Sequence, residues 1–246
     1  MMSPSFLDIV KLNAYYAQGH ILHDISLTVS KEEAVFILGL NGMGKTTLLR
    51  SVMGLAPPRF TGTIGFGGLE LTKMRPNKIA ALGLGYVPQG RRLFPSLSVE
   101  EHLNLFYRKN DDRNAREWTR DIVYSLFPVL KERRKIRGTL LSGGEQQMLA
   151  IGRALVTNPR LLIMDEPTEG LSPYVIRLIL ETCEELRGTG ASMLFTEQNL
   201  EVAATLADRV LILETGRFVH ETRKKDCASN KEFMDELSKL LWSEPH

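Results

Sequence analysis

At 246 residues, with 43% apolar and 24% charged side chains, the chain has the length and balance of one ordinary globular domain with a sizeable core. A net charge of +2, from 31 Lys and Arg against 29 Asp and Glu, leaves no electrostatic bias toward nucleic acid. Cys183 and Cys227 lack CxxC spacing and read as reduced thiols. No window has bilayer-spanning length, and residues 1–5 lack the basic start and apolar stretch of a signal peptide. The expectation is a cytosolic chain whose membrane link comes through a partner.

Residues 7–12 and 21–29 alternate apolar and polar positions with turn residues between them, as do residues 61–67, which predicts a small antiparallel layer at one edge. Val35-Phe36-Ile37-Leu38 reads as a buried strand before a glycine-rich loop and a helix over 45–53. Residues 99–135 are predicted helical, with one segment opening at 99–103 and another spanning 118–126. The basic cluster at 131–137 is interrupted by Glu132 and reads as a solvated surface. Leu161-Leu162-Ile163-Met164 precedes Asp165-Glu166 and a helix over 173–186. Met193-Leu194-Phe195-Thr196 precedes a helix over 200–207, an apolar run at 210–213 follows, and 231–241 is an amphipathic helix. Continuous apolar strands alternating with helices predict an α/β fold with a mainly parallel sheet covered on both faces.

Gly39-Leu40-Asn41-Gly42-Met43-Gly44-Lys45-Thr46 fits G-x-x-x-x-G-K-[ST] between a predicted strand and a predicted helix, the context a phosphate loop requires. Backbone N–H groups of Gly42, Gly44, Lys45 and Thr46 would wrap a β-phosphate at the helix N-terminus. Lys45 would reach the β- and γ-phosphates, and Thr46 would ligate Mg²⁺. Gly39, Asn41 and Thr47 complete the candidate ATP contacts. Asp165 and Glu166 end an apolar strand, where an Asp can hold Mg²⁺ and a Glu can polarise an attacking water. Alone, such a pair reads as solvated loop acids; beside a phosphate loop, the catalytic reading prevails.

Ser142 and Glu145 form an S-x-x-E capping box, opening a helix through Met148, Leu149, Ile151, Ala154 and Leu155. The cap explains Ser142 and Glu145 but not Gly143 and Gly144, since glycine weakens a first helical turn. Paired glycines fit a phosphate that must approach bare backbone N–H groups. Alone, the five residues allow either reading; the upstream phosphate loop decides for the second.

The phosphate loop, Leu141-Ser142-Gly143-Gly144-Glu145-Gln146 and residues 161–166, in that order, resemble an ATP-binding cassette (ABC-type) ATPase over nearly the whole chain. The resemblance implies a P-loop NTPase core over about 1–95 and 140–225, including the antiparallel layer. It also implies a helical subdomain inserted over about 96–140 and a C-terminal helix over about 226–246. Val87-Pro88-Gln89 is similar to the family's Q-loop, which implies that Gln89 senses Mg²⁺ and the attacking water and links to a membrane partner. Thr46, Gln89 and Asp165 are then the Mg²⁺ set, with Glu166, Gln89 and Gln198 as catalytic residues. Tyr16 resembles the aromatic that stacks on adenine; Tyr15 could take that place, and either could be a plain strand tyrosine. Two cassettes would pack head to tail, with ATP between one phosphate loop and Ser142, Gly143, Gly144 and Glu145 of the other.

Two positions depart from the family pattern. Gln198 stands where a histidine usually contacts the γ-phosphate; its amide can donate a hydrogen bond but carries no charge. Ser172 replaces the usual D-loop aspartate. The strings at 85–95, 141–153 and 165–172, with Glu197-Gln198-Asn199, are similar to the F-type ATP-binding subunit of branched-chain amino acid importers and of urea and amide relatives. That resemblance implies a second, different ATPase subunit, membrane permease subunits and an external solute-binding protein, with this chain peripheral on the inner face of the membrane. Leu93, Phe94, Pro95 and Leu97 either form an apolar contact surface for the permease or pack within the helical insertion. An exporter subunit, a soluble ABC protein and a non-hydrolytic module are the alternatives. Intact Lys45, Thr46, Asp165 and Glu166 count against the last.

Overall fold

The computed structural model describes residues 6–110 and 116–242. Residues 1–5, on which the reading of a missing signal peptide rests, lie outside the described residues. In chain order the elements begin with β1 (Leu7–Tyr16), β2 (Gly19–Val29), β3 (Ala34–Leu38), α1 (Lys45–Val52), β4 (Arg59–Phe66), β5 (Leu69–Glu70) and α2 (Pro76–Ala81). There follow β6 (Leu84–Val87), α3 (Val99–Phe106), α4 (Arg120–Leu126), α5 (Pro128–Glu132), α6 (Gly143–Leu155), β7 (Leu161–Asp165) and α7 (Pro173–Arg187). The last are β8 (Ser192–Glu197), α8 (Leu200–Leu206), β9 (Arg209–Glu214), β10 (Arg217–Arg223) and α9 (Asn230–Trp242). They divide into two compact units, Met1–Leu82 with Ser192–His246, and Gly83–Ala191.

In the first unit, β1 lies between β2 and β4 in an antiparallel sheet, as the alternating patterns predict. The inward set is Leu7, Ile9, Leu12 and Ala14, so the period of two slips once. The slip is a bulge: Lys11 has φ of +49°, and the pairing to both neighbours shifts between Ile9 and Asn13. Opposite it, a Cβ on Gly62 would lie 2.4 Å from the Lys11 carbonyl oxygen, so only glycine fits.

Within this unit β3 runs parallel to both β8 and β9, and β10 turns back antiparallel on β9. Every residue of β3 and β8 is buried, which is why their apolar runs show no alternation. Phe36 and Phe195 are register partners with rings meeting edge-on at 4.8 Å. Each such buried side chain contributes about 1.5–3 kcal/mol. Arg209, 5% exposed, pairs with Glu33 at 2.8 Å and donates to the Thr28 carbonyl, so its charge is compensated. The β10 strand carries no apolar run because most of it faces solvent.

The second unit pairs β6 with β7 in parallel, packs α6 against β6, and sets α3, α4 and α5 against α6. Helix α6 is buried from Gln147 to Leu155, and Gly152 is needed because a Cβ there would meet Val123 at 2.6 Å. The α4 helix begins at Arg120, not at residue 118. Thr119 caps it, and the Trp118 N–H is bound to Asn158 Oδ1 at 2.6 Å. The basic cluster at 131–137 is exposed throughout, as its composition predicts.

Candidate functional site

In the first unit the chain leaves β3 into the glycine-rich loop and enters α1 at Gly44, whose φ of +106° is a left-handed cap without a side-chain hydrogen bond. Helix α1 therefore presents its first N–H groups uncapped, the arrangement an anion requires. Gly39 is forced by packing, since a Cβ would lie 2.4 Å from the Leu213 carbonyl. Gly42, at φ +85°, faces open space. Met43 pins the loop: its carbonyl accepts from Gly216 N–H at 3.1 Å, and its sulfur accepts from Thr215 N–H at 3.2 Å. Met43 falls on an unspecified position of G-x-x-x-x-G-K-[ST], and no local pattern marks it.

Lys45 is 4% exposed, and its ammonium donates to the carbonyls of Gly39 and, at 3.0 Å, Leu40. Thr46 is half-buried and Thr47 buried. Gln198, at the end of β8, donates from Nε2 to Asn41 Oδ1 of the same loop at 2.8 Å. Its neighbour Asn199 caps α8, accepting from Glu201 and Val202, which accounts for the asparagine of the Gln-Asn pair. Tyr15 stacks on His20 with ring centroids 4.4 Å apart and an interplanar angle of 20°, while Tyr16 pairs with Gly19 through the backbone.

In the second unit Asp165 closes β7 at 1% exposure and Glu166 follows at 7%. Glu166 holds φ of +47°, a backbone setting that costs a non-glycine residue about 1–3 kcal/mol and marks functional sites. Gln89 Nε2 donates to Glu166 at 3.1 Å and to Glu169 at 3.0 Å, so the amide bridges two carboxylates. No motif in the sequence gives Glu169 a role, and only its contact with Gln89 marks it. Ser172 is exposed and begins α7 without making a side-chain cap.

The capping box of α6 is complete. Ser142 Oγ accepts from Glu145 N–H at 3.4 Å, and the Glu145 carboxylate accepts from Ser142 N–H at 2.8 Å. Arg133 of the basic cluster also reaches Glu145, at 3.1 Å. The two glycines have packing reasons besides backbone access. A Cβ on Gly144 would lie 2.9 Å from Val175, and one on Gly143 would lie 3.2 Å from the Arg91 guanidinium. Phe94 is half-exposed and packs on Phe106 of α3, with centroids 5.9 Å apart, so it packs within the helical insertion while leaving part of its ring at the surface.

Neither cysteine offers a nucleophile. Burial pushes the Cys183 thiol far up, and burial with the Glu236 carboxylate 3.2 Å away pushes Cys227 up to about 11. Among the described residues no three His, Cys, Asp or Glu side chains cluster around a metal position. A cation here would rest on single oxygen donors and phosphate, which is how Mg²⁺ is usually held.

A glycine-rich loop at an uncapped helix start, acids at a strand end and a glycine-bearing capped helix are the parts of a nucleotide-binding cassette. Residues 22–169 match the family model described as ABC transporter, and the chain belongs to that family. It is an ATP-binding cassette, an ATPase coupled to membrane transport, of the kind that dimerises and works with permease partners. The high-affinity branched-chain amino acid transport ATP-binding protein BraG of Pseudomonas aeruginosa is 44% identical over 219 residues, covering 88% of this chain and 92% of that protein. A probable branched-chain amino acid transport ATP-binding protein LivF of Archaeoglobus fulgidus is 35% identical over 228 residues, covering 92% and 96%. A solved ATP-binding subunit of an ABC transporter superposes with a TM-score of 0.80 at 30% identity, covering 96% of this chain and 100% of that one. No helix among the described residues is long and apolar enough to cross a membrane.

Proposed function

We propose that this chain is the F-type ATPase subunit of an importer for branched-chain amino acids or related small polar solutes. The observation that carries the reading is the 44% identity to BraG across nearly the full length of both chains. The partners in this reading are a second, different ATPase subunit, the permease subunits and an external binding protein. The chain then sits on the cytoplasmic face of the membrane.

In this reading the uncapped N–H groups at the start of α1 bind the β-phosphate, and Tyr16 stacks on adenine because Tyr15 already carries His20. Lys45 exchanges the Leu40 carbonyl for oxygens of the β- and γ-phosphates. Thr46, Asp165 and Gln89 are hard oxygen donors that suit Mg²⁺, which when bound neutralises charge on the phosphates. Glu166 accepts a hydrogen bond from water and aims its oxygen at the γ-phosphorus. The water oxygen bonds to that phosphorus as the bond to the bridging oxygen breaks, ADP leaves with the bridging oxygen, and the proton the water gives up ends on the phosphate. Gln198, oriented by Asn41 beside the phosphate loop, offers an amide that can donate to the γ-phosphate. Ser142, Gly143, Gly144 and Glu145 act on the nucleotide of the partner cassette.

Proteoliposomes carrying the chain with its co-purifying permease and ATPase subunits test this. Glu166→Gln is expected to keep ATP binding, trap closed dimers and abolish turnover. Turnover at the wild-type rate overturns the catalytic assignment. Wild-type turnover without uptake of leucine, isoleucine or valine overturns the solute assignment.

A further inference from the structure

The backbone after Gln89 has an unusual conformation. Gly90, Arg91 and Arg92 are consecutively left-handed, with φ of +77°, +65° and +47°. Glycine accepts that setting freely, whereas two successive arginines do not. Something must hold them there, and two buried polar side chains do. Arg153 of α6 is 8% exposed and spends its fork on this turn, donating to the Arg92 carbonyl at 2.8 Å and to the Arg91 carbonyl at 3.2 Å. Its guanidinium also lies over the Phe106 ring of α3, 5.3 Å from the centroid.

His102 of α3 is fully buried and holds the other end. It accepts the Phe94 N–H on Nε2 at 3.0 Å, so its proton sits on Nδ1, which donates to the Ser98 carbonyl at 2.8 Å. The tip of this short segment reaches the signature turn, where the Arg91 guanidinium lies over Gly143. Residues 90–94 therefore run from the half-exposed Phe94 to the first residue of α6, fastened at both ends to helices of the same unit. None of the roles assigned to the nucleotide uses Arg153 or His102.

We propose that Arg153 and His102 are positioning residues that keep residues 90–94 in this left-handed turn, so that movement of a permease against Phe94 reaches Gly143 through Arg91. The inference rests on the transport reading, in which this segment meets the permease. Lysine at 153 keeps the charge but offers a single point donor where two carbonyls must be held in fixed geometry.

The test uses the complete transporter in proteoliposomes and measures isolated ATPase, ATP affinity and the stimulation of ATPase by solute-loaded binding protein. Arg153→Lys is expected to leave ATP affinity and isolated ATPase within about twofold and to lower stimulation about tenfold. Adding Arg92→Gly is expected to restore most of the stimulation, because glycine adopts the left-handed turn without being held. A purely structural role for Arg153 gives a different pattern, with isolated ATPase falling and no rescue by Arg92→Gly; that result overturns the inference. Full stimulation of Arg153→Lys overturns it too. A wild-type chain whose ATPase ignores the permease overturns the transport reading, and this inference with it.

Discussion

Helices α3 and α6 open on the same device. Ser98-Val99-Glu100-Glu101 and Ser142-Gly143-Gly144-Glu145 are both S-x-x-E, and both close into complete capping boxes. In each, the serine N–H donates to the glutamate carboxylate at 2.8 Å. The difference lies in the two middle residues. In α3, Val99 is fully buried and anchors the helix. In α6 the same positions are emptied of side chains, and Arg91 and Val175 stand where Cβ atoms would be. The capping box is thus common to both helices, and what distinguishes α6 is the pair of glycines between its two halves. Helix α1 makes the opposite choice, with a left-handed glycine and no side-chain cap, leaving its N–H groups for a ligand.

The sharpest way to break this comparison is at its middle. Gly144→Val places a branched side chain where a Cβ already meets Val175 at 2.9 Å, and is expected to lower ATPase at least about 100-fold. Glu100→Gly, at the matching position of α3, is expected to cost about 1 kcal/mol of stability and leave turnover unchanged. Phosphate release and urea unfolding of both variants decide the matter; equal effects on turnover would remove the distinction between the two turns. A smaller effect separates the serines. Ser98→Ala and Ser142→Ala should each cost about 1 kcal/mol of stability through the lost cap. Only Ser142→Ala should also weaken ATP-driven dimerisation, by about tenfold, as expected for losing a hydrogen bond to a charged phosphate.

The smallest expected effect is a pH dependence carried by His102 of α3. Burial holds His102 below its ordinary value, with Arg153 adding to the shift and the Ser98 carbonyl and Glu101 opposing it. The unfolded chain then takes up the proton first. Stability is full above about pH 6.5 and falls as pH drops toward the lower folded value, at no more than about 1.4 kcal/mol per pH unit. Urea midpoints between pH 7.5 and 5.5 should show this slope, and His102→Gln should flatten it. An unchanged slope would mean that another group carries the acid sensitivity.

Much of the site could be read from short strings because its chemistry is local. A phosphate loop is a strand end, a turn and a helix start, and all three fall within residues 34–52. The strand-end acids and the capping box of α6 are equally local. Elements without such a signature were not legible. Strand β10 is mostly solvent-facing and has no apolar run, and α2 is a six-residue helix announced only by Pro76 at its first turn. The slip at Lys11 in β1 becomes intelligible only once Gly62 is seen across from it.

By itself the sequence determined the α/β class, the glycine-rich turn between β3 and α1, the acids at the end of β7 and the capping box with paired glycines that opens α6, because each depends on neighbours within a few residues. Only the tertiary structure decided that Gln198 leans on Asn41, that Gln89 bridges Glu166 and Glu169, and that Arg153 and His102 hold the turn after Gln89. It also decided that Tyr15 is covered by His20 while Tyr16 is not so stacked. The long-range contacts among these join side chains up to 157 positions apart, and the shorter ones depend on how strands pair and helices pack. Their geometry is set when the cores close, and no local pattern of residues encodes it.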